Sequence, residues 1–181
     1  MLFSPFAMAH PGHLGSHGFE SGLMHPLSGL DHLSVMVGVG ILAALFGGKS
    51  RWLMPIAFVM FMIIGGLLGL SGLVVPYVEY GIICSVIIMG MLLLQGATMS
   101  YQWVTGLIMA FAIFHGMAHG AEMPLNSQAL HYFAGFVLST AMLHLVGIAL
   151  GECALRLPAS GRVTKMMGAL MTLLGCSFLF S

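Results

Sequence analysis

The chain has 181 residues, of which 59% are hydrophobic and only 6% are charged, with five Lys and Arg residues balancing five Asp and Glu residues. Soluble domains contain about 25% charged residues, so this composition excludes an ordinary soluble protein, and the zero net charge excludes a basic surface for nucleic acid. Because one membrane-spanning helix needs about 20 residues, the length suffices for about six spans, and we expect no appended soluble domain.

Apolar runs separated by Gly, Pro and polar residues predict an all-α, polytopic membrane protein with about six transmembrane helices. In chain order, the predicted helices cover residues 25–47, 52–70, 76–95, 103–121, 129–151 and 162–180. They form one six-helix transmembrane domain over 25–181, preceded by an outer, histidine-rich segment at 10–24. Residues 1–9 end in Ala-Met-Ala, a small-x-small pattern that we interpret as the remnant of a signal peptide.

The basic residues are confined to two connections of the predicted bundle. Those beside the first connection are Lys49 and Arg51, and those beside the fifth are Arg156, Arg162 and Lys165. With six spans, these connections share one side of the membrane, which the positive-inside rule makes the cytoplasmic side. We therefore expect both the N- and C-termini outside.

Histidine is the unusual component, because nine histidines occur in a chain that otherwise avoids polar side chains. The predicted first helix contains HPLSGLDH, which places His25 and His32 near one helix face with Asp31 beside them. An unpaired carboxylate at that depth is costly, and a proton, a histidine partner or a bound metal would each relieve the cost. A structural hydrogen bond and a metal site both remain open here.

The predicted fourth helix contains FHGMAHGAE, in which His115, His119 and Glu122 fall within about 60° of arc on one face. Two imidazoles at this spacing can share one metal ion, with the carboxylate near the mouth of the site. The alternative is a wet polar crevice without metal. Gly116 and Gly120 have the small-xxx-small spacing that lets a neighbouring helix approach closely.

Stacked by depth, the polar side chains predict a ladder of nitrogen and oxygen donors that leads inward. Three histidines that would capture metal stand at the outer entrance: His10, His13 and His17. The mouth of the ladder holds His25, His119 and Glu122, and about 10 Å deeper lie Asp31, His32 and His115. His144, on the predicted fifth helix, lies deeper still and is either a hydrogen-bonded core residue or a ligand.

This ladder favours a transporter of a divalent transition metal over an enzyme, with no prosthetic group. The sequence contains no GxxxxGK[ST] phosphate loop, so we expect a gradient to drive transport and no ATPase subunit to be implied. Two alternatives stay open. One is a Co²⁺ or copper transporter of the same architecture, for which the seventeen methionines would suit Cu(I). The other is a membrane-embedded, zinc-dependent hydrolase built on the same ligands.

HPLSGLDHLSVMVGVG (25–40) resembles the HPxxGxDHxxxMxxVG signature of the HupE/UreJ nickel permeases of bacteria. FHGMAHGAE (114–122) and FAGFVLSTAMLHLVG (133–147) fall at later motifs of that family. The resemblance implies that Ni²⁺ is imported through the inner membrane, usually behind a cleaved signal peptide, into cells that build hydrogenase or urease.

The resemblance also implies which residues are essential. In the first motif these are His25, Asp31 and His32, and in the second they are His115, His119 and Glu122. The expected partners are the metal ion, the lipid bilayer and, indirectly, the nickel enzymes that the metal supplies. Homo-oligomer formation is left open, and Co²⁺, Zn²⁺ or copper remain candidates beside Ni²⁺.

Overall fold

The computed structural model describes residues 18–73, 75–123 and 128–180, and over these ranges the regular structure is entirely α-helical. The helices are α1 (Gly18–Ser28), α2 (Leu30–Phe46), α3 (Ser50–Leu70), α4 (Val78–Gln95), α5 (Tyr101–Glu122), α6 (Ala129–Leu155) and α7 (Ser160–Ser177). The expectations for residues 1–9 and for His10, His13 and His17 lie outside the described residues.

The helices are long and apolar, as expected for a polytopic membrane protein. Within the described ranges, α3, α4, α5 and α6 each have the length and composition to cross a membrane. The pair α1 and α2 makes a fifth candidate span, although the two helices are bent by 80° at their junction. These features confirm the all-α, polytopic fold, whereas six spans and outer termini stay predictions.

The predicted first helix, 25–47, is wrong as a single element, because the structure divides it at Gly29. α1 ends at Ser28 and α2 begins at Leu30, while Gly29 adopts an extended backbone with φ −102° and ψ 120°. The described part of α1 starts at Gly18, so part of the predicted outer segment, 10–24, is helical. The two histidines of the first motif therefore lie on different helices.

Local chemistry explains why the chain breaks at this position. The Ser28 hydroxyl donates to the carbonyl oxygen of His25 at 2.7 Å, which satisfies one of the last carbonyl groups of α1. A Cβ atom built on Gly29 would lie 2.6 Å from Oδ1 of Asp31. A side chain at this position would push the Asp31 carboxylate away from the place where it folds back over the break.

Glycines set the close helix pairs that position the histidines. A Cβ on Gly116 would collide with the carbonyl oxygen of Met62, and one on Gly120 would collide with that of Gly66. The small-xxx-small spacing in α5 therefore does mediate a close approach, and the neighbour is α3.

The long helix α6 supports both halves of the bent pair. A Cβ on Gly22 of α1 would collide with the backbone of Tyr132, near the start of α6. Further along α6, a Cβ on Gly40 of α2 would collide with the backbone of His144. The single helix α6 thus packs closely against both α1 and α2.

An ion pair joins the start of α3 to the end of α6. Nη2 of Arg51 lies 3.1 Å from Oε1 of Glu152. The α2–α3 and α6–α7 connections, in or beside which the basic residues lie, are therefore at the same end of the bundle, as the charge pattern predicts. The cytoplasmic location of that end stays a prediction.

Candidate metal-binding site

Four histidines from three helices meet where α1 turns into α2. The ring centroid of His32, in the first turn of α2, lies 4.9 Å from that of His115 and 4.5 Å from that of His119, both on α5. The ring of His25, near the end of α1, lies 4.5 Å from His119 and 6.2 Å from His32. We call these four residues the histidine cluster.

Three rings of the cluster are buried in largely apolar surroundings, whereas His25 is partly exposed. His32, His115 and His119 are 8%, 0% and 2% exposed, and the ring of Phe136 lies 4.4 Å from that of His119. Imidazole nitrogens withdrawn from water in this way need hydrogen-bond partners or a bound ion, because an unpaired polar group costs free energy.

Asp31, His32 and His119 form a directed chain of hydrogen bonds. Oδ1 of Asp31 lies 3.0 Å from Nδ1 of His32, and because an ionised carboxylate only accepts, His32 donates from Nδ1. Nε2 of a neutral His32 then carries a lone pair, which accepts from Nε2–H of His119 at 2.7 Å.

The bend also changes the environment of Asp31. A straight first helix would have placed this carboxylate in mid-helix, whereas the structure places it in the first turn of α2. Free N–H groups and the helix dipole stabilise negative charge at that position. Of the three sources of relief that the sequence left open, the structure provides a histidine partner.

The ring of His115 has a partner that sequence reasoning missed. Its Nε2 lies 3.0 Å from Oγ of Ser85, a fully buried residue of α4. A lone serine in an apolar helix gives no signal in the sequence, because its relation to His115 depends on how α4 packs beside α5.

His144 does not join the histidine cluster. It is 1% exposed on α6, and its ring lies 5.1 Å from that of Phe58, which in turn lies 5.9 Å from that of His115. Within the described residues neither ring nitrogen of His144 has a hydrogen-bond partner. It is one of the residues that line an apolar cavity of about 290 Å³ between α3 and α6.

The predicted ladder therefore has a different vertical spacing. Its first two levels were expected about 10 Å apart, but His119 and His32 are in hydrogen-bond contact. The bend at Gly29 merges these levels into one. Glu122 is the last residue of α5, and its side chain lies outside the described structure.

The cluster is not arranged as a finished metal site. Among the side chains that the structure describes, no group of three or more His, Cys, Asp or Glu residues is already placed to hold a metal ion. The Nε2 atoms of His32 and His119 are 2.7 Å apart. Two nitrogen ligands on one tetrahedral metal stand roughly 3.4 Å apart at the usual bond lengths. A bound metal would have to replace this hydrogen bond. The distance between the two nitrogen atoms would then increase by roughly 0.7 Å.

Comparison with known proteins gives two matches of high coverage. A model of the family described as HupE / UreJ protein matches residues 1–178. A curated relative, Protein HupE of Rhizobium leguminosarum bv. viciae, is 39% identical over 176 residues, which cover 96% of this chain and 91% of the relative. No solved structure matches the chain.

Proposed function

Since the chain belongs to the HupE/UreJ family, we propose that it imports a divalent transition metal, first of all Ni²⁺, across the bacterial inner membrane without ATP. The observation that carries this proposal is the histidine cluster, with the Asp31 carboxylate, inside an apolar helical bundle. Polar groups at membrane depth are costly, so a buried group of this kind points to a function rather than to stability. Nitrogen and oxygen donors suit borderline ions such as Ni²⁺.

We assign direct ligation to the four imidazoles of the cluster. Asp31 acts through His32, because a carboxylate bonded to the second ring nitrogen fixes the tautomer and raises the basicity of the ligating nitrogen. Its negative charge also offsets part of the charge of a dication. Glu122 stays a proposed ligand at the mouth of the site, and metal capture at the outer entrance falls to His10, His13 and His17.

The hydrogen bond between His32 and His119 tunes the site for transport. Because the two rings satisfy each other without metal, an arriving ion must displace an internal hydrogen bond. The loss of this hydrogen bond lowers the net affinity of the site for the metal ion. A transport site has to bind well enough to fill and weakly enough to empty, so moderate affinity is the useful outcome.

The inward route continues from the cluster to His144. Phe58 stands between His115 and His144, with ring contacts to both. An ion passing inward would therefore require this aromatic ring to move. His144, whose ring nitrogens have no partner in the described part of the chain, then offers the next ligand.

The membrane potential can supply the driving force. A dication that moves to a negative interior gains about 4.6 kcal/mol per 100 mV, from roughly 2.3 kcal/mol for each unit charge. This free energy supports accumulation without ATP. In the cell, the imported Ni²⁺ would supply hydrogenase or urease.

The test is metal uptake into sealed proteoliposomes that contain only this protein, under an inside-negative potential, with Ni²⁺, Co²⁺, Zn²⁺ and Cu²⁺ compared. We expect potential-dependent Ni²⁺ entry, at least about tenfold lower for Asp31→Asn, within the range for loss of such an outer partner. The matched control is Glu152→Gln, which removes one carboxylate charge at the ion pair with Arg51, away from the cluster. This control should transport normally.

Two results would contradict the proposal. No flux of any ion would exclude a self-sufficient importer. One zinc ion per chain that survives dialysis, together with absent flux, would instead favour a membrane-embedded hydrolase, because catalytic zinc is held by several protein ligands and keeps an open position.

A further inference from the structure

Ser85 lies on α4 and contacts the ring of His115 on α5. Its side chain is 0% exposed. The hydroxyl donates to the carbonyl oxygen of Ile82 at 2.6 Å, and the same oxygen lies 3.0 Å from Nε2 of His115. The direction of the second hydrogen bond follows from the first.

A serine hydroxyl carries a single proton. Since that proton is directed to Ile82, Oγ can only accept from His115, which must therefore donate from Nε2. A neutral imidazole has one N–H, so Nδ1 of His115 is left with a lone pair. This atom is buried and has no hydrogen-bond partner within the described residues.

The opposite tautomer is disfavoured for a separate reason. It would place a proton on Nδ1 of His115, where no acceptor is found in the described part of the structure. A buried N–H without an acceptor carries the full cost of its lost hydration. Both arguments give the same arrangement, with the proton on Nε2 and an open lone pair on Nδ1.

We infer that Ser85 is a positioning residue that holds His115 in the Nε2–H tautomer and so makes Nδ1 the atom that ligates the transported ion. Asp31 performs the mirror-image task on His32, whose Nδ1–H it accepts, leaving Nε2 as the ligating atom. The ring of His115 contacts that of His32 directly. The identity of the ligand as a divalent metal rests on the proposed function, whereas the tautomer does not.

The first experiment needs no metal. The full chain is labelled with ¹⁵N-histidine, placed in lipid bilayers and examined by NMR, since the nitrogen shifts of the two tautomers differ. The His115 signals are assigned by their loss in His115→Gln. We expect the Nε2–H pattern for His115, disturbed by Ser85→Ala and kept by Ser85→Thr, which retains the hydroxyl.

The matched control is Ser139→Ala, which removes a hydroxyl that is equally buried, at 2% exposure, on α6. It should leave the His115 signals unchanged. A wild-type His115 protonated at Nδ1, or a His115 spectrum indifferent to Ser85→Ala, would overturn the inference.

The second experiment measures the dissociation constant for Ni²⁺. We expect Ser85→Ala to raise it by about 10–100-fold, the usual effect of losing an outer partner of a ligating histidine. Ser85→Thr and Ser139→Ala should stay within about threefold of the wild type, a margin small beside that effect. Thermal unfolding of all variants is followed in parallel, because a merely structural serine would lower stability without changing the tautomer.

The outcomes separate the two proposals. Normal Ni²⁺ binding by Ser85→Ala would overturn the positioning role and leave the proposed function standing. Absence of Ni²⁺ binding by the wild type would contradict the proposed function, and the NMR result alone would then decide the tautomer.

Discussion

Three residues of the histidine cluster have hydrogen-bond partners without a metal ion. His32 donates to Asp31 and accepts from His119, and His115 pairs with Ser85. Each of these three rings therefore has at least one hydrogen-bond partner in the apolar bundle, whereas Nδ1 of His115 has none within the described residues. Loss of one histidine should harm metal transport more than it harms the fold.

The first prediction concerns two of these histidines. His32→Ala and His115→Ala should each abolish Ni²⁺ uptake while protein levels in the membrane stay near normal, because each removes one imidazole ligand. Uptake in cells and immunoblots of the membrane fraction measure the two quantities. The control is His131→Ala, which changes an exposed histidine in the first turn of α6. Full uptake by both cluster variants would exclude the cluster as the transport site.

The second prediction separates binding from transport. His144 is separated from the cluster by Phe58 and lies among apolar side chains. His144→Leu should therefore leave equilibrium Ni²⁺ binding at the cluster unchanged and lower the rate of uptake. Binding to purified protein and uptake into proteoliposomes are compared on the same preparation. If binding and uptake fall together, His144 belongs to the same site as the cluster.

At the scale of the helices, the sequence predicts elements with strong apolar runs well. The predicted ranges 52–70 and 129–151 correspond to Ser50–Leu70 and Ala129–Leu155. The bend was missed because a proline and a glycine near a helix end are compatible with a continuous helix in the sequence alone. The bend depends on tertiary packing, in which α6 contacts both α1 and α2.

For the site, the sequence predicts the relation between residues of one helix but not the contacts between different helices. His115 and His119 were grouped correctly, because a spacing of four residues on one helix fixes their relative positions. The contact between His32 and His119 was not predictable in detail, since it joins α2 and α5 through tertiary packing. Ser85 was missed for the same reason.

The third prediction tests the break between α1 and α2. Gly29→Ala should reduce Ni²⁺ uptake strongly, because the new Cβ would lie 2.6 Å from Oδ1 of Asp31 and displace the carboxylate from His32. Uptake and thermal unfolding are measured together. The control is Gly106→Ala in α5, where a Cβ meets no atom within 4 Å. This control should transport normally and gain about 0.5–1 kcal/mol of stability.

A normal rate of uptake by Gly29→Ala would contradict the role given to the break. Such a result would mean that Asp31 can reach His32 from another backbone geometry. Loss of folded protein in Gly29→Ala would be separated from loss of function by the unfolding measurement.

For the whole molecule, the basic residues and the histidine cluster together indicate the direction in which an ion would move through the bundle. The two basic connections meet at one end of the bundle, where Arg51 pairs with Glu152. If this end is cytoplasmic, as the positive-inside rule predicts, the proposed route from the cluster past Phe58 to His144 runs inward along the electric field. The potential then acts on the charge of the ion that crosses.

The last prediction is the voltage dependence of accumulation. If a dication crosses alone, about 4.6 kcal/mol per 100 mV corresponds to a tenfold rise in equilibrium accumulation for roughly each 30 mV. Proteoliposomes with potassium diffusion potentials of about −30, −60 and −90 mV allow this slope to be measured with Ni²⁺. A tenfold rise for roughly each 60 mV would mean that one net charge moves, as in exchange for one proton. Ni²⁺ accumulation that does not change with the membrane potential would contradict electrically driven import, because the free energy of a moving dication depends on the potential.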